Sequence, residues 1–135
     1  MGARSRRKGA AHELALAQIA RDHGFPRAMR TAPMQAGERD GGQRKPFPDV
    51  DGLPLLWVEG KHEKRASPRA YAREYLRERP GFIPVVCWRS QGMGPGETVA
   101  ELRYTDLLRL LRMAMEQSQE DSPLDTPASL AGDGK

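Results

Sequence analysis

The sequence is poor in cysteine and aromatic residues, and it has no long apolar run. Cys87 is the single cysteine among 135 residues, which excludes an internal disulfide and a cysteine-based metal centre. We expect no membrane span, because no run approaches the roughly 18 apolar residues that one requires. The N-terminus is basic and lacks the apolar segment of a secretory signal, so the expected location is the cytoplasm.

What the chain does contain is charge, with a basic surplus. Lysine and arginine number 22 against 18 aspartates and glutamates, for a net charge of +4. The N-terminal stretch is basic and the C-terminal stretch is acidic, and the middle of the chain keeps a basic surplus. Most of its cations are arginines, whose planar guanidinium matches phosphate geometry. An anionic polymer is therefore a natural partner, although a general bias toward arginine would give the same composition.

The pattern of apolar, turn and capping residues predicts one α/β domain with a small mixed sheet flanked by helices. We expect a basic flexible arm over 1–7, a folded domain over 8–117 and a disordered acidic tail over 118–135. A long Gly/Pro-rich loop over about 31–47 interrupts the domain, and such loops are usually functional. Helices are predicted over 8–23, 67–79 and 105–117; Gly24 ends the first, and Ser67 and Pro68 start the second. Strands are predicted on both sides of a turn at 51–54. The strand after this turn covers 55–63, and two more cover 82–88 and 97–103.

Three charged residues stand in a pattern that is suited to metal-assisted chemistry. Asp49 precedes the turn, and Glu59 and Lys61 lie two apart on the following strand, so their side chains leave the same face. Two adjacent carboxylates repel unless a proton or a cation lies between them, and Mg²⁺ or Mn²⁺ prefers such oxygen ligands. Lys61 could hold an attacking water, and the Gly60 carbonyl could add a ligand. The alternative is a solvated strand face with coincidental spacing.

An acid on the first predicted helix supports the functional interpretation. Glu13 lies near the middle of the helix's apolar arc, where a carboxylate is costly unless it has a partner or a task. A first-turn acid that is favoured by the helix dipole is the alternative explanation.

Together these motifs resemble the PD-(D/E)XK nuclease superfamily. The order KG-x3-E, HGF, R-T, PD and VEGK over residues 8–112 is similar to archaeal-type Holliday junction resolvases and their phage relatives. The resemblance implies that Asp49 and Glu59 ligate a divalent metal, that Lys61 acts at the attacking water, and that Glu13 completes the acidic site. It also implies a DNA-holding arginine after the first helix.

That arginine is Arg30, with Thr31 next to it as a further expected DNA contact, or else it is Arg27. The insert over 35–47 departs from the family pattern and leaves the choice open. Loop and helix positions supply the other expected DNA contacts, since exposed cations bind phosphate without reading sequence. They are Lys8, Arg39, Arg44, Lys45, Arg69 and Arg73, with Arg77 continuing the stripe at four-residue spacing.

The sequence therefore predicts a Mg²⁺-dependent endonuclease that resolves four-way DNA junctions, with Mn²⁺ as a substitute metal. A homodimer is expected, because a nearly two-fold symmetric junction needs two related nicks. The alternatives are a repair or recombination nuclease of the same fold acting on other DNA structures, a non-catalytic DNA-binding protein, and an unrelated α/β domain.

Overall fold

The computed structural model describes residues 3–31 and 47–121 of the chain. The helices are α1 (Ala3–Asp22), α2 (Pro68–Tyr75) and α3 (Tyr104–Asp121), with a short 3₁₀ helix at Pro95–Glu97. The strands are β1 (Met29–Arg30), β2 (Val50–Asp51), β3 (Leu56–Glu63), β4 (Ile83–Ser90) and β5 (Val99–Glu101). None of the described helices is both long and apolar enough to cross a membrane.

The five strands form one mixed sheet in sequence order, β1-β2-β3-β4-β5. The β3–β4 pair is parallel, with Leu56 opposite Ile83, and the other neighbours are antiparallel. A parallel pair needs a crossover connection, and α2 supplies it. The predicted α/β class with a small mixed sheet is confirmed.

The two faces of the sheet carry different parts of the protein. Val58 and Gly60 face α1, where Leu16, Ala17, Val50 and Val58 form a buried apolar cluster. Because strand side chains alternate, Glu59 and Lys61 leave from the opposite face, where α2 contacts β3 and β4. The predicted catalytic strand is thus covered on both faces.

Helix α1 ends as its glycine predicts and starts earlier than expected. Gly24 has φ +100°, and the Gly24 and Phe25 amides donate to the Arg21 and Ala20 carbonyls in a Schellman arrangement. At the other end the helix begins at Ala3, so residues 3–7 continue α1, where we expected a flexible arm.

Helix α2 is shorter than predicted, and its cap differs. It ends at Tyr75, where the sequence pattern predicted about residue 79, and its last turn tightens as the Arg77 amide donates to the Glu74 carbonyl at 3.3 Å. Ser67 precedes Pro68 at the start of the helix as expected, but its hydroxyl makes no capping hydrogen bond. Arg77 therefore lies beyond the helix, and only Arg69 and Arg73 share its exposed face.

Residues from Arg103 onward form a separate unit that contains α3. Tyr104, Leu108, Leu111 and Met115 recur at spacings of four and three residues along this helix, and all four side chains are exposed. Within the helix, Arg109 pairs with Asp106, and Arg112 pairs with Glu116. The predicted acidic tail overlaps the end of α3 to Asp121, and residues 122–135 lie outside the described part of the chain.

Candidate functional site

Asp49 is held at the start of β2 by backbone bonds on both sides. Its amide donates to the Val58 carbonyl at 2.9 Å, and its carbonyl accepts from the Thr31 amide at 3.1 Å. The Thr31 hydroxyl also donates to the Pro48 carbonyl. Thr31 is buried, so it supports the Pro48–Asp49 backbone. The expected contact of Thr31 with DNA stays a prediction, and in this structure its side chain is 5% exposed.

The Asp49 carboxylate reaches the middle of β3. One of its oxygens accepts the Gly60 amide at 2.9 Å, and the carboxyl lies within hydrogen-bonding reach of the Glu59 carboxyl. Burial and then the charge of Asp49 raise the pKa of Glu59 to about 7. Two acids that the sequence places ten positions apart are therefore close enough for the charge of one to raise the pKa of the other, an arrangement that a bound cation would relieve.

Lys61 leaves the same face of β3 as Glu59, and α2 contributes a partner to it. The Lys61 Nζ lies 3.5 Å from the Glu74 Oε2, and both side chains are partly buried. The charge of Glu74 also contributes to the raised pKa of Glu59. Lys61 thus leaves the same face of the sheet as Glu59 and pairs there with a third acid, which α2 supplies.

Gly60 allows α1 to approach β3 closely. A Cβ at this position would lie 3.0 Å from the Leu16 side chain, 3.2 Å from His12 and 3.6 Å from Glu13. A larger residue would push α1 away from the strand. The requirement for glycine in the VEGK motif is therefore explained by helix packing.

Glu13 lies over Gly60 on the α1 face and forms an ion pair with Arg30. The Arg30 Nε is 2.8 Å from the Glu13 Oε1, and each side chain is about one-fifth exposed. The two residues that the resemblance assigned to metal and to DNA thus contact each other. Arg27 is exposed. Of the two candidate arginines, Arg30 is the one that forms an ion pair with an acid of the predicted site, Glu13.

A buried histidine ties α1 to β4 beside this cluster. His12 is 1% exposed, its Nε2–H donates to the Cys87 carbonyl at 3.0 Å, and its Nδ1 accepts from the Arg89 Nε at 3.2 Å. This tautomer is neutral, and burial followed by the charge of Arg89 lowers the pKa of His12. Sequence reasoning gave this residue no role.

The described residues contain no group of three or more His, Cys, Asp or Glu side chains that is arranged to hold a metal ion. Asp49 and Glu59 are a pair, while the Glu13 carboxylate is held by Arg30. A pair suits Mg²⁺ nonetheless, because this ion retains waters and is commonly held by one or two carboxylates plus substrate phosphate.

The predicted DNA contacts fall in three groups. Lys8, Arg27, Arg69 and Arg73 are exposed, as a phosphate contact requires, and Arg30 is partly buried in its ion pair. Thr31 is buried. Arg39, Arg44 and Lys45, with most of the predicted loop, lie outside the described residues.

Two further residues at the site were not predicted. The Trp57 indole N–H donates to the Glu59 Oε2 at 2.8 Å, and Glu74 holds Lys61 as described above. The sequence did contain a signal for each. Trp57 is two positions before Glu59 and so shares its face, and Glu74 is an acid three residues after the buried Tyr71, on the packed side of α2.

No family model, curated protein or solved structure matches this chain, so the interpretation depends on the geometry and on the sequence pattern.

Proposed function

We propose that the protein is a Mg²⁺-dependent DNA endonuclease of the PD-(D/E)XK superfamily that cuts four-way junctions. The observation that carries the proposal is that Asp49, held on the Gly60 amide at 2.9 Å, lies close enough for its charge to raise the pKa of Glu59, with Lys61 on the same strand face as Glu59. A solvated strand face would not hold two partly buried carboxyls close together, because their repulsion would be unrelieved.

Asp49 and Glu59 would hold the metal, which supplies Lewis-acid activation of water and of the scissile phosphate. Lys61 would hold the attacking water or stabilise the charge that builds on a phosphate oxygen. Its ion pair with Glu74 would restrain the ammonium on the face of β3 from which Glu59 also leaves. Glu13 would act from the opposite face of β3, where it lies over Gly60 and pairs with Arg30.

DNA would be held by exposed cations on either side of the acids. Arg69 and Arg73 on α2 and Lys8 on α1 are exposed and suited to phosphate, with no role in reading bases. Selectivity would come from the shape of branched DNA. A homodimer would give two active sites for the two related nicks, and the exposed heptad-like positions of α3 are a surface that such a dimer could use.

The test is cleavage of a labelled, immobile four-way junction in Mg²⁺, beside linear duplex, a flap and single-stranded DNA. We expect paired nicks near the branch that disappear in Glu59→Gln and Lys61→Ala. Glu78→Gln is the matched control, because Glu78 is an exposed acid in the same connection.

Equal cutting of every substrate would favour a general repair or recombination nuclease and would refute the junction preference. Tight junction binding without cleavage in Mg²⁺ or Mn²⁺ would favour a non-catalytic DNA-binding protein. Neither binding nor cleavage would refute the proposal as a whole.

A further inference from the structure

We propose that Phe82, supported by Trp57 and Arg79, is a stacking surface for an unpaired base of branched DNA next to the cleavage site. The inference depends on the proposed function and names the part of the DNA that this surface contacts. Its occupant is a nucleobase, which an aromatic ring and a guanidinium plane recognise together.

The surface is built on a rigid turn. The Phe82 amide donates to the Arg79 carbonyl at 2.8 Å, and Gly81 between them has φ +84°. Proline at the second position and glycine at the third are the residues that a type II turn requires. Pro80 and Gly81 therefore fix Arg79 and Phe82 at the two ends of one turn, with little conformational freedom left to lose on binding.

Both ends of the turn rest on the same buried ring. The Trp57 and Phe82 ring centroids are 5.6 Å apart in an edge-to-face arrangement, and the Arg79 guanidinium carbon lies 4.1 Å from the Trp57 ring centroid. Trp57 is 6% exposed, whereas Phe82 is 45% exposed. A buried indole thus anchors an aromatic side chain that presents nearly half of its area to solvent.

The anchor is also directly bonded to the catalytic acid. The Trp57 Nε1–H donates to the Glu59 Oε2 at 2.8 Å. Phe82 is therefore separated from the carboxylate pair by the width of a single indole ring. A base that stacks on Phe82 would belong to the nucleotides next to the phosphate at the site.

A second apolar side chain stands beside Phe82 in an unfavourable backbone conformation. Leu55 has φ +68°, the only positive φ of a non-glycine residue in the described ranges, and it is 40% exposed. Its carbonyl accepts the Ile83 amide at 2.6 Å, which places Leu55 next to Phe82 across the start of β3 and β4. An exposed leucine in a strained backbone conformation is more typical of a contact surface than of a solvated loop.

The chemistry favours DNA over a protein partner. Apolar wedges next to cations are used to unstack bases at kinks, and a junction presents weakened stacking at its branch point. A purely apolar protein interface would not need the arginine that lies over Trp57. Base, phosphate and this surface are therefore complementary in charge and in shape.

The experiment uses junctions that carry 2-aminopurine either at the branch or in the middle of an arm. Binding is measured by fluorescence without divalent metal, so that no cleavage occurs. We expect the full-length protein to change the emission of the branch probe and not of the arm probe. Phe82→Ala should lose this change and bind the junction roughly tenfold more weakly, while Phe82→Tyr should retain both.

Phe25→Ala is the matched control, because Phe25 is 42% exposed and lies in the loop between α1 and β1. Leu55→Gly is the second variant, since it removes the side chain and relieves the positive φ, and it should also weaken the branch signal. Thermal unfolding of each variant checks that it is folded.

Wild-type binding and branch emission in both Phe82→Ala and Leu55→Gly would overturn the stacking inference while leaving the nuclease proposal intact. A change in oligomeric state with unchanged branch emission would also overturn it, in favour of a contact between copies of the chain. Failure of the wild-type protein to bind or cut any DNA would instead refute the proposed function itself.

Discussion

Replacing Glu59 with glutamine tests the paired-carboxyl geometry without any assumption about DNA. Burial and Asp49 raise the pKa of Glu59 from 4.5 to about 7 in the folded protein. The folded state therefore binds more protons than the unfolded state between these two values, and stability falls as the pH rises through this window. At about 1.4 kcal/mol per pH unit the loss approaches ~3 kcal/mol above pH 7. Glutamine cannot ionise, so Glu59→Gln should remove the loss while still accepting the Trp57 bond.

The assay is urea unfolding at pH 4.5 and pH 8.5 in EDTA. We expect Glu59→Gln to match the wild type at the lower pH and to be more stable by up to about 3 kcal/mol at the higher pH. Adding Mg²⁺ at pH 8.5 should stabilise the wild type and leave the variant unchanged, because in the proposed site the ion needs both carboxylates. Glu78→Gln, at an exposed position, is the control. Equal stability of Glu59→Gln and wild type at pH 8.5 would refute the buried pair.

Three other predictions concern the fold around the site. Gly52→Ala should lower the free energy of unfolding in urea by about 3 kcal/mol, because Gly52 has φ +86° and a Cβ there would lie 2.0 Å from a backbone oxygen. Gly92 also has a positive φ, +96°, but lies in open space, so Gly92→Ala should lower the free energy of unfolding by only about 1 kcal/mol. Tyr71→Phe should lower the free energy of unfolding by about 1 kcal/mol in the same assay, since it removes the 2.7 Å hydrogen bond to Glu63. An unchanged free energy of unfolding would show that this hydrogen bond does not stabilise the fold. Burial raises the pKa of the Cys87 thiol to about 11. A disulfide reagent at pH 8 should therefore react slowly with Cys87 in the folded protein and rapidly in urea. Fast reaction without urea would contradict the burial of this thiol.

The long elements of the fold could be predicted from sequence, and the short ones could not. The apolar run before Glu59 and the run 82–88 predicted β3 and β4, and Gly24 predicted the end of α1. Strand β1 has two residues, too few for any periodic pattern, and it forms because it pairs with β2. The end of α2 was misplaced because Pro80 restricts only the residue directly before it, so the proline does not mark the end of the helix at Tyr75.

At the site, residues within one motif were easier to predict than partners from other elements. The alternation of β3 correctly places Glu59 and Lys61 on one face, opposite Gly60. The pairing of Lys61 with Glu74 depends on how α2 crosses the sheet, which no local pattern encodes. The burial of Thr31 likewise follows from its tertiary bonds to the Pro48–Asp49 backbone.

The central claim is that Asp49 and Glu59 bind a divalent cation, and Mn²⁺ binding followed by electron paramagnetic resonance tests it most directly. Free Mn²⁺ gives a strong six-line signal that is lost on binding, so the bound fraction is read without DNA or catalysis. The account predicts that the wild-type protein binds Mn²⁺ and that Asp49→Asn weakens binding at least about tenfold, as loss of a charged ligand should. Asp51→Asn, at an exposed acid two residues along the chain, should bind like wild type. Equal Mn²⁺ affinity in wild type, Asp49→Asn and Asp51→Asn would contradict the account.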